Sequence, residues 1–386
     1  MKILFIGQII PQKLLENNYE KLKRMNDPAA NAFYNALLNG LSSNHHDVEA
    51  IAMIDDSLLN QTEKNIHGVT YSYVNYDRDV IARSLKSLFR TFSYTNKWRK
   101  KNKKEEKCVI FNCLRISQSI GSLIVCKLFG LKTIGVVTDV PGFRVKKDKT
   151  TLVKKLSNFL GTKIIKMFDG YILLSEDMKN IISDKEIKYC LIEGMYLPDS
   201  EIVEEPQRYD NYTVLYAGAL MRQYNIMNLI EAVRQIDDPN LRLNLYGTGD
   251  LVEEIKSISA EDNRVQYQGT APRTEILRQE LKSHLLVNPR LSTESYTKYS
   301  FPSKNIEYMA SGTPVLFTKL PSMPEEYYSY INLIEDETAE GIKAAILKVM
   351  GDKDVYQKAD NAREFIYNQK NPQKQTLKIE KLLKHL

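Results

Sequence analysis

The 386-residue sequence lacks long apolar runs, paired cysteines and clustered histidines. No stretch approaches the roughly 18 apolar residues of a membrane-spanning helix, and the apolar run at the N-terminus is too short for a signal peptide. The four cysteines have no zinc-type spacing and the five histidines are scattered. We therefore expect buried free thiols, a reducing cytoplasmic location, no metal site and no resident cofactor.

The chain is long enough for about two domains, and its charge is unevenly distributed. Residues 1–194 hold 31 of the 54 Lys and Arg but only 20 of the 48 Asp and Glu, so this half is basic and the remainder is acidic. The excess concentrates in Arg83–Lys107 and Arg144–Lys166, where apolar residues recur at helical spacing. A solvated charged face is the commonest explanation of such runs, while attraction to anionic lipid and nucleic-acid binding are the alternatives. The helical spacing favours lipid over nucleic acid.

Apolar strands alternate with amphipathic helices along the whole chain, which is typical of parallel α/β sheets. We expect one domain in residues 1–197 and a second in 213–369, joined by a polar segment without periodicity at 195–212. The predicted strands are Lys2–Ile6, Val48–Ile54, Cys108–Asn112, Thr133–Val137, Tyr171–Leu174, Tyr189–Ile192, Val214–Ala217, Leu241–Tyr246, Val265–Gln268, Leu285–Asn288, Pro314–Phe317 and Asn332–Ile334. The predicted fold class is therefore α/β, with two doubly wound, Rossmann-like domains.

The most informative segment is residues 299–315, Tyr-Ser-Phe-Pro-Ser-Lys-Asn-Ile-Glu-Tyr-Met-Ala-Ser-Gly-Thr-Pro-Val. Pro302 and Ser303 predict a helix start, with the Ser303 hydroxyl accepting a free backbone N–H, and Gly312 predicts the helix end. Lys304 and Glu307 are three residues apart and share a helix face. A helix start beside a lysine can hold phosphate, and a carboxylate one turn later can hold two sugar hydroxyls.

These residues resemble the nucleotide-sugar motif of family-4 glycosyltransferases, which have the GT-B fold, and most closely the bacterial enzymes of capsule, O-antigen and exopolysaccharide synthesis. Glu307 matches the second of the two glutamates of that motif. Tyr299 stands eight positions earlier, in the place of the first glutamate, and Glu294 is out of register. The resemblance covers nearly the whole chain, although the first half matches in pattern only. It implies that a C-terminal helix within residues 370–386 packs back on the first domain. The sequence predicts that this helix begins at Gln375.

The resemblance also implies roles around the donor diphosphate and the acceptor. Gly218 ends a strand, and Arg222 is the only cation of the loop in which the family has a Gly-Arg and a following Lys. We expect Arg222 to contact the diphosphate and Arg290 to compensate for the missing lysine. In the first half, Gly7 and the helix start at Asp27–Asn31 would line the acceptor side.

One further residue completes the predicted acceptor side. Asp139 follows a strand of the first half, where the family has a His or Asp. The resemblance makes Asp139 the candidate that orients or deprotonates the acceptor hydroxyl. A turn-capping role for Asp139 remains open.

Glycines follow the next two strands of the second half. Tyr246-Gly-Thr-Gly-Asp-Leu lacks the third glycine of a dinucleotide fingerprint, so it argues weakly for NAD. In the family this loop lies beside the nucleotide, so Gly247 and Gly249 would allow close approach while Asp250 caps the helix. A plain turn is the alternative. Gly269 resembles a family glycine whose backbone contacts the base.

The resemblance implies a metal-independent, retaining hexosyltransferase with Asp139, Arg222 and Lys304 at the reacting centre. The donor is a nucleotide-diphosphate sugar such as a UDP-sugar. The acceptor is a saccharide, free or linked to a lipid diphosphate, met at the inner face of the cell membrane. A nucleotide-sugar epimerase or hydrolase and a non-catalytic binding protein are the alternatives. An NAD-dependent oxidoreductase fails for want of a complete glycine fingerprint and its ribose-binding acid.

Overall fold

The computed structural model describes residues 1–22, 28–54, 58, 65–75, 80–113, 116–138, 161, 163–183, 185–198 and 207–386. The described residues form two compact units: one holds residues 1–195 and 371–386, and the other holds residues 196–370.

Strands and helices alternate in both units. The strands are β1 Lys2–Ile6, β2 Asp47–Ile54, β3 Asn65–Ile66, β4 Val69–Asn75, β5 Lys107–Asn112, β6 Lys132–Val137, β7 Gly170–Leu173, β8 Tyr189–Leu191, β9 Thr213–Ala217, β10 Arg242–Tyr246, β11 Val265–Gly269, β12 Leu285–Asn288, β13 Val315–Thr318 and β14 Asn332–Ile334. The helices are α1 Gln12–Asn17, α2 Tyr19–Leu22, α3 Pro28–Ser43, α4 Val80–Lys101, α5 Ile116–Phe129, α6 Met178–Ile182, α7 Ile226–Arg234, α8 Val252–Glu261, α9 Arg273–Lys282, α10 Ser303–Ser311, α11 Ala339–Gly351, α12 Val355–Gln369 and α13 Pro372–Lys384.

The first unit is built on an eight-stranded sheet in the order β3-β4-β2-β1-β5-β6-β7-β8. All neighbouring strands are parallel except the short β3, which pairs antiparallel with β4. Helices α3, α4, α5 and α6 lie in connections between these strands, as the crossovers of parallel strands require. The central strands are covered on both faces and are almost wholly apolar, as expected for a parallel sheet.

The second unit is built on a six-stranded, wholly parallel sheet in the order β11-β10-β9-β12-β13-β14. Taken within the unit, this is the 3-2-1-4-5-6 order of a Rossmann-like fold. The direction of winding reverses between β9 and β12, so the loops at their carboxyl ends diverge and leave a crevice for ligands. The prediction of doubly wound α/β units is thus confirmed.

The last helix, α13, belongs to the first unit. Ile379, Leu382 and Leu383 join the apolar cluster of that unit's sheet. Helix α3 approaches α13 so closely that a Cβ on Gly40 would lie 2.3 Å from the Pro372 carbonyl oxygen. The Lys378 ammonium donates to the Leu191 carbonyl at 2.9 Å, which fastens α13 to β8.

Several sequence expectations need correction. Helix α13 begins at Pro372 and not at Gln375, because the Asn371 side chain accepts the Lys374 N–H at 2.8 Å and caps the helix three residues earlier. Strand β4 was not predicted, although its alternation of polar and aromatic residues is a strand signal. Most of the basic segment Arg144–Lys166, with its helical spacing of apolar residues, lies outside the described residues.

The four cysteines are buried and free. Burial raises the pKa of the Cys126 and Cys190 thiols to about 12, so these thiols are protonated at neutral pH. Among the described helices, none combines the length and the apolar character that crossing a lipid bilayer requires.

Candidate functional site

Helix α10 follows the loop after β12 and carries the predicted Lys-Glu pair. Ile306, Met309 and Ala310 are buried on its core side. Gly312 ends the helix with φ of 74°, a left-handed conformation that suits glycine. One detail of the prediction is wrong: Pro302 occupies the cap position, no side chain caps the first turn, and Ser303 is exposed. The first backbone N–H groups of α10 therefore donate no hydrogen bond to a capping side chain.

Lys304 and Glu307 form the predicted pair on the open face of α10. The Lys304 Nζ atom lies 2.9 Å from Glu307 Oε1, and the two side chains are 32% and 16% exposed. The Tyr308 hydroxyl accepts the Ala217 N–H at 2.7 Å and so ties α10 to the end of β9. The pair is consequently held on a rigid element beside the carboxyl edge of the sheet.

A third carboxyl group, not foreseen from the sequence, lies beside this pair. Glu280 on α9 is fully buried, and its Oε1 atom is 3.8 Å from Lys304 Nζ. Burial and the neighbouring Glu307 raise the pKa of Glu280 well above its usual value. Burial alone would also raise the pKa of Glu307, but Lys304 and Arg273 outweigh it and lower that pKa. The sequence did hold a signal, because Glu280 falls on the apolar stripe formed by Ile276 and Leu277.

Arg290 stands two residues beyond β12 in an aromatic surrounding. Its guanidinium carbon lies 4.4 Å from the centroid of the Tyr224 ring, which in turn lies 6.1 Å from that of Tyr296. The buried Arg290 Nε–H has no acceptor among the described residues. No carboxylate of the described chain forms a salt bridge with Arg290, so this cation keeps hydrogen-bonding capacity for an anion.

Arg222 lies in a short 3-10 helix after β9 and is already engaged. Its guanidinium forms a salt bridge with Glu254, and its side chain is 63% exposed. Its backbone N–H donates to Asp250 Oδ1 at 3.1 Å. Asp250 therefore does not cap α8 as predicted: Leu251 holds the cap position, and the Asp250 carboxylate fastens the neighbouring loop.

The glycines after β9 and β10 bring two loops into close contact. A Cβ on Gly247, where φ is 137°, would lie 1.8 Å from the Gly218 carbonyl oxygen. A Cβ on Gly249 would lie 1.9 Å from the Leu220 carbonyl oxygen. These glycines are thus required by the packing of one loop on another, independently of any ligand. Gly269 has φ of 75° and open space around its missing Cβ.

Hydrogen bonds of residues outside the motif hold the loop between β12 and α10. The Asn288 amide donates to the buried Asn305 Oδ1 at 2.6 Å and connects β12 directly to α10. Both carboxylate oxygens of Glu337 accept the Ser292 N–H, at 3.0 and 3.1 Å. Nothing in the sequence pattern pointed to Glu337, because it lies 45 residues from its partner. Tyr299 sits in the same loop, where its N–H donates to the Tyr296 carbonyl.

The predicted acceptor-side residues belong to the first unit. Gly7 follows β1, where a Cβ would lie 2.6 Å from Asn112 Cβ. The Asn31 amide exchanges hydrogen bonds with the Ile10 backbone, at 2.8 and 3.0 Å, so it fixes the loop after β1. Asp139 lies outside the described residues. Within the described chain, no group of three or more His, Cys, Asp or Glu side chains could hold a metal ion.

The second unit has a match among known protein families. Residues 199–372 match the family model described as "Glycosyl transferases group 1". This match covers less than half of the chain. No match was found among curated protein sequences.

Solved structures resemble the whole chain. Sucrose-phosphate synthase from Thermosynechococcus elongatus is 15% identical with a TM-score of 0.65, over 100% of this chain and 99% of that one. Anabaena HepE in complex with UDP is 15% identical with a TM-score of 0.66, over 100% of both chains. The lipopolysaccharide outer core galactosyltransferase WaaB is 15% identical with a TM-score of 0.61, over 100% and 99%. The likeness to these structures over the whole chain and the two Rossmann-like sheets make this a GT-B fold.

Proposed function

We propose that this protein is a retaining hexosyltransferase of family 4 that uses a nucleotide-diphosphate sugar, such as a UDP-sugar, in cell-surface polysaccharide synthesis. The observation that carries the proposal is the Lys304–Glu307 pair at the start of α10, inside a glycosyl transferases group 1 domain. The acceptor is a saccharide, free or linked to a lipid diphosphate. The resemblance to HepE, solved with UDP and with UDP-glucose, supports the choice of donor, and that to WaaB supports the surface role.

Donor binding follows from the charges around α10. The uncapped N-terminus of α10 and the Lys304 ammonium attract the donor phosphates. The Glu307 carboxylate accepts hydrogen bonds from the ribose hydroxyls. Arg290 supplies a second cation, and Arg222 supplies a third. Arg222 leaves its salt bridge with Glu254 and binds the diphosphate when the donor arrives.

The reaction replaces one bond at the anomeric carbon. The bond between this carbon and the diphosphate oxygen breaks, and its electron pair stays on the leaving diphosphate. The acceptor oxygen forms the new glycosidic bond on the same face of the sugar, and its proton passes to Asp139. Arg222, Arg290 and Lys304 stabilise the charge that develops on the diphosphate, so this mechanism requires no metal.

The test measures binding and turnover separately. UDP affinity should fall at least tenfold in Lys304→Ala and in Glu307→Ala, because a hydrogen bond to a charged group contributes about 1.5–3 kcal/mol. Lys353→Ala and Glu364→Ala, exposed residues of the same unit, are the matched controls. Equal affinity in all four variants would refute the site assignment.

The same preparation separates the alternative activities. A transferase consumes the UDP-sugar only when a saccharide acceptor is present, whereas a hydrolase or epimerase consumes it alone. A non-catalytic protein binds the nucleotide without turnover. The replacement of the first motif glutamate by Tyr299 is the observation that keeps this last reading worth testing.

We also propose that the α4–α5 face of the first unit contacts anionic membrane, where a lipid-linked acceptor resides. Phe89 and Leu85 on α4 are 69% and 57% exposed, and Leu128 on α5 is 68% exposed. The helices lie side by side, since a Cβ on Gly121 would lie 2.2 Å from the Leu88 carbonyl oxygen. The last turn of α4 adds the basic residues Arg99, Lys100 and Lys101. Exposed apolar groups within a basic surface suit the interface of an anionic bilayer.

Vesicle binding tests this contact. The protein should co-sediment with phosphatidylglycerol-rich vesicles and less with phosphatidylcholine vesicles. The double variant Phe89→Ser/Leu128→Ser should lose this binding. Leu347→Ser, which changes a 44% exposed leucine of the second unit, should not. Equal binding of both variants would refute the proposed face.

A further inference from the structure

Glu280 is a buried acid whose oxygen atoms have no hydrogen-bond donor among the described residues. Its side chain is fully buried in the middle of the second unit, and neither carboxylate oxygen has a hydrogen-bond partner. The nearest cation, Lys304, is 3.8 Å away and lies closer to Glu307, at 2.9 Å. A buried carboxylate in this position would be poorly solvated, and such a group usually takes up a proton.

The groups that face Glu280 come from two helices and a loop. Arg273 lies on its own helix α9, while Lys304, Glu307 and Tyr308 come from α10. The Thr313 hydroxyl donates to the Glu280 backbone carbonyl at 2.9 Å and so leaves the carboxyl group untouched. Among these neighbours, Glu307 is the acceptor, because its carboxylate retains free lone pairs beyond the one used by Lys304.

We propose that Glu280 is a protonated positioning residue that donates a hydrogen bond to Glu307 and thereby holds that carboxylate for the donor's ribose. This inference rests on the proposed function of Glu307 as the ribose-binding carboxylate. Lys304 and Glu280 then grip Glu307 from two sides and fix its rotamer. Glu280 thus preorganises the donor site without itself touching the donor.

The proton on Glu280 also sets the local charge. With Glu280 neutral, the two cations Arg273 and Lys304 face one anion, Glu307, so the cluster is net positive and suits a diphosphate. Ionisation of Glu280 would cancel this excess and place a second negative charge beside Glu307. The raised pKa of Glu280 agrees with the neutral form.

The first test is the pH dependence of UDP binding by the full chain. In the wild type, affinity should fall as pH rises through the raised pKa of Glu280 and this carboxyl group ionises. The expected fall is about tenfold, which corresponds to about 1.4 kcal/mol of added charge repulsion. Glu280→Gln keeps a neutral donor, so it should bind UDP normally at neutral pH without this fall. Glu280→Leu removes the donor and should bind several-fold more weakly at every pH.

The opposite results would overturn the proposal. If Glu280→Gln lost as much affinity as Glu280→Leu, the negative charge of Glu280 would be what the site uses. Failure of Glu280→Gln to fold would also count against it, because glutamine supplies the same neutral donor in nearly the same volume. An identical pH profile in the wild type and Glu280→Gln would contradict the proposal, because ionisation of Glu280 would then have no effect on binding.

The second test needs no nucleotide, so it separates this proposal from the proposed function. A raised folded-state pKa means that the folded chain holds the proton more tightly than the unfolded chain. Stability contributed by Glu280 is then complete below its unfolded pKa and is lost as pH rises through its folded pKa. Relative to Glu280→Gln, the wild-type unfolding constant should therefore rise by up to about tenfold per pH unit above about pH 4.5. A relative fall would identify an ionised Glu280 even if the chain bound no nucleotide.

Discussion

Three glycines at the carboxyl edge of the second sheet allow backbone strain to be separated from steric contact. Gly269 has a positive φ but open space around its Cβ position, whereas Gly249 has no positive φ but meets the Leu220 carbonyl. Gly247 has both a positive φ and the contact with Gly218. Alanine at each position therefore tests one effect, the other, or their combination.

The expected losses of stability differ accordingly. Gly269→Ala adds only strain, which costs about 1–2 kcal/mol for a left-handed residue. Gly249→Ala must push two loops apart and sacrifice the Leu220 N–H bond to the Thr248 carbonyl, 2.8 Å long. With the adjoining contacts this costs about 2 kcal/mol, since each net hydrogen bond contributes about 1 kcal/mol. Gly247→Ala combines both effects and should cost about 3–4 kcal/mol.

Urea unfolding followed by circular dichroism measures these losses, and UDP affinity shows which of them reach the site. Thermal midpoints should fall by about 2–4 °C for each kcal/mol in a unit of this size. Loop packing predicts that affinity falls in Gly247→Ala and Gly249→Ala together with stability. A loss of affinity with stability unchanged would instead mean that these glycines make room for the nucleotide. Gly269→Ala as the most destabilised variant would refute the reasoning.

Three further predictions concern charge and burial. Arg290→Met should weaken UDP binding about tenfold or more, because a charge-assisted hydrogen bond contributes about 1.5–3 kcal/mol. The same variant should bind uridine, which has no diphosphate, as well as the wild type does. Calorimetry with both ligands checks this, and equal losses of affinity for UDP and uridine would contradict it. Burial would raise the pKa of Asp169, but Lys127 and Thr133 outweigh this effect and lower that pKa below its usual value. Asp169 therefore contributes stability above its unfolded pKa, and this stability is lost as pH falls through its folded pKa. Asp169→Asn should therefore be less stable than the wild type at pH 7 and equal to it in strong acid, as urea unfolding at both values would show. A thiol reagent at neutral pH should label the native chain slowly and the unfolded chain at four sites (Cys108, Cys113, Cys126 and Cys190). Fast labelling of the native chain would contradict their burial.

The architecture could be predicted because its signals are local. Apolar runs of four to six residues bounded by Gly or polar turns became β1, β5, β9 and β12 almost to the residue, since a parallel strand buried on both faces must be apolar throughout. The start and end of α10 were also predictable, because Pro302 and Gly312 are local signals of helix boundaries. Strand β4 was missed because polar and aromatic residues alternate in it and it contains no continuous apolar run.

The site was predictable only in part. Lys304 and Glu307 are three residues apart, so helix geometry alone places them together. Asp250 had the right residue type for a helix cap, but its carboxylate was taken by the Arg222 backbone N–H, 28 residues away. Arg222 itself was paired by Glu254, which no short-range pattern connects with it.

The sequence by itself determined the alternation of strands and helices, the helix that carries Lys304 and Glu307, and the basic character of the first half. These properties depend on residues within a few positions of each other, where backbone geometry leaves little choice. Only the tertiary structure decided that Glu280 lies beside Glu307 and that Gly247 and Gly249 accommodate a neighbouring loop. It also decided that Arg290 stands among aromatic rings, with no carboxylate of the described residues paired to it. Such contacts join segments that are distant along the chain, and burial, which alters both charge and packing requirements, exists only once those segments have come together.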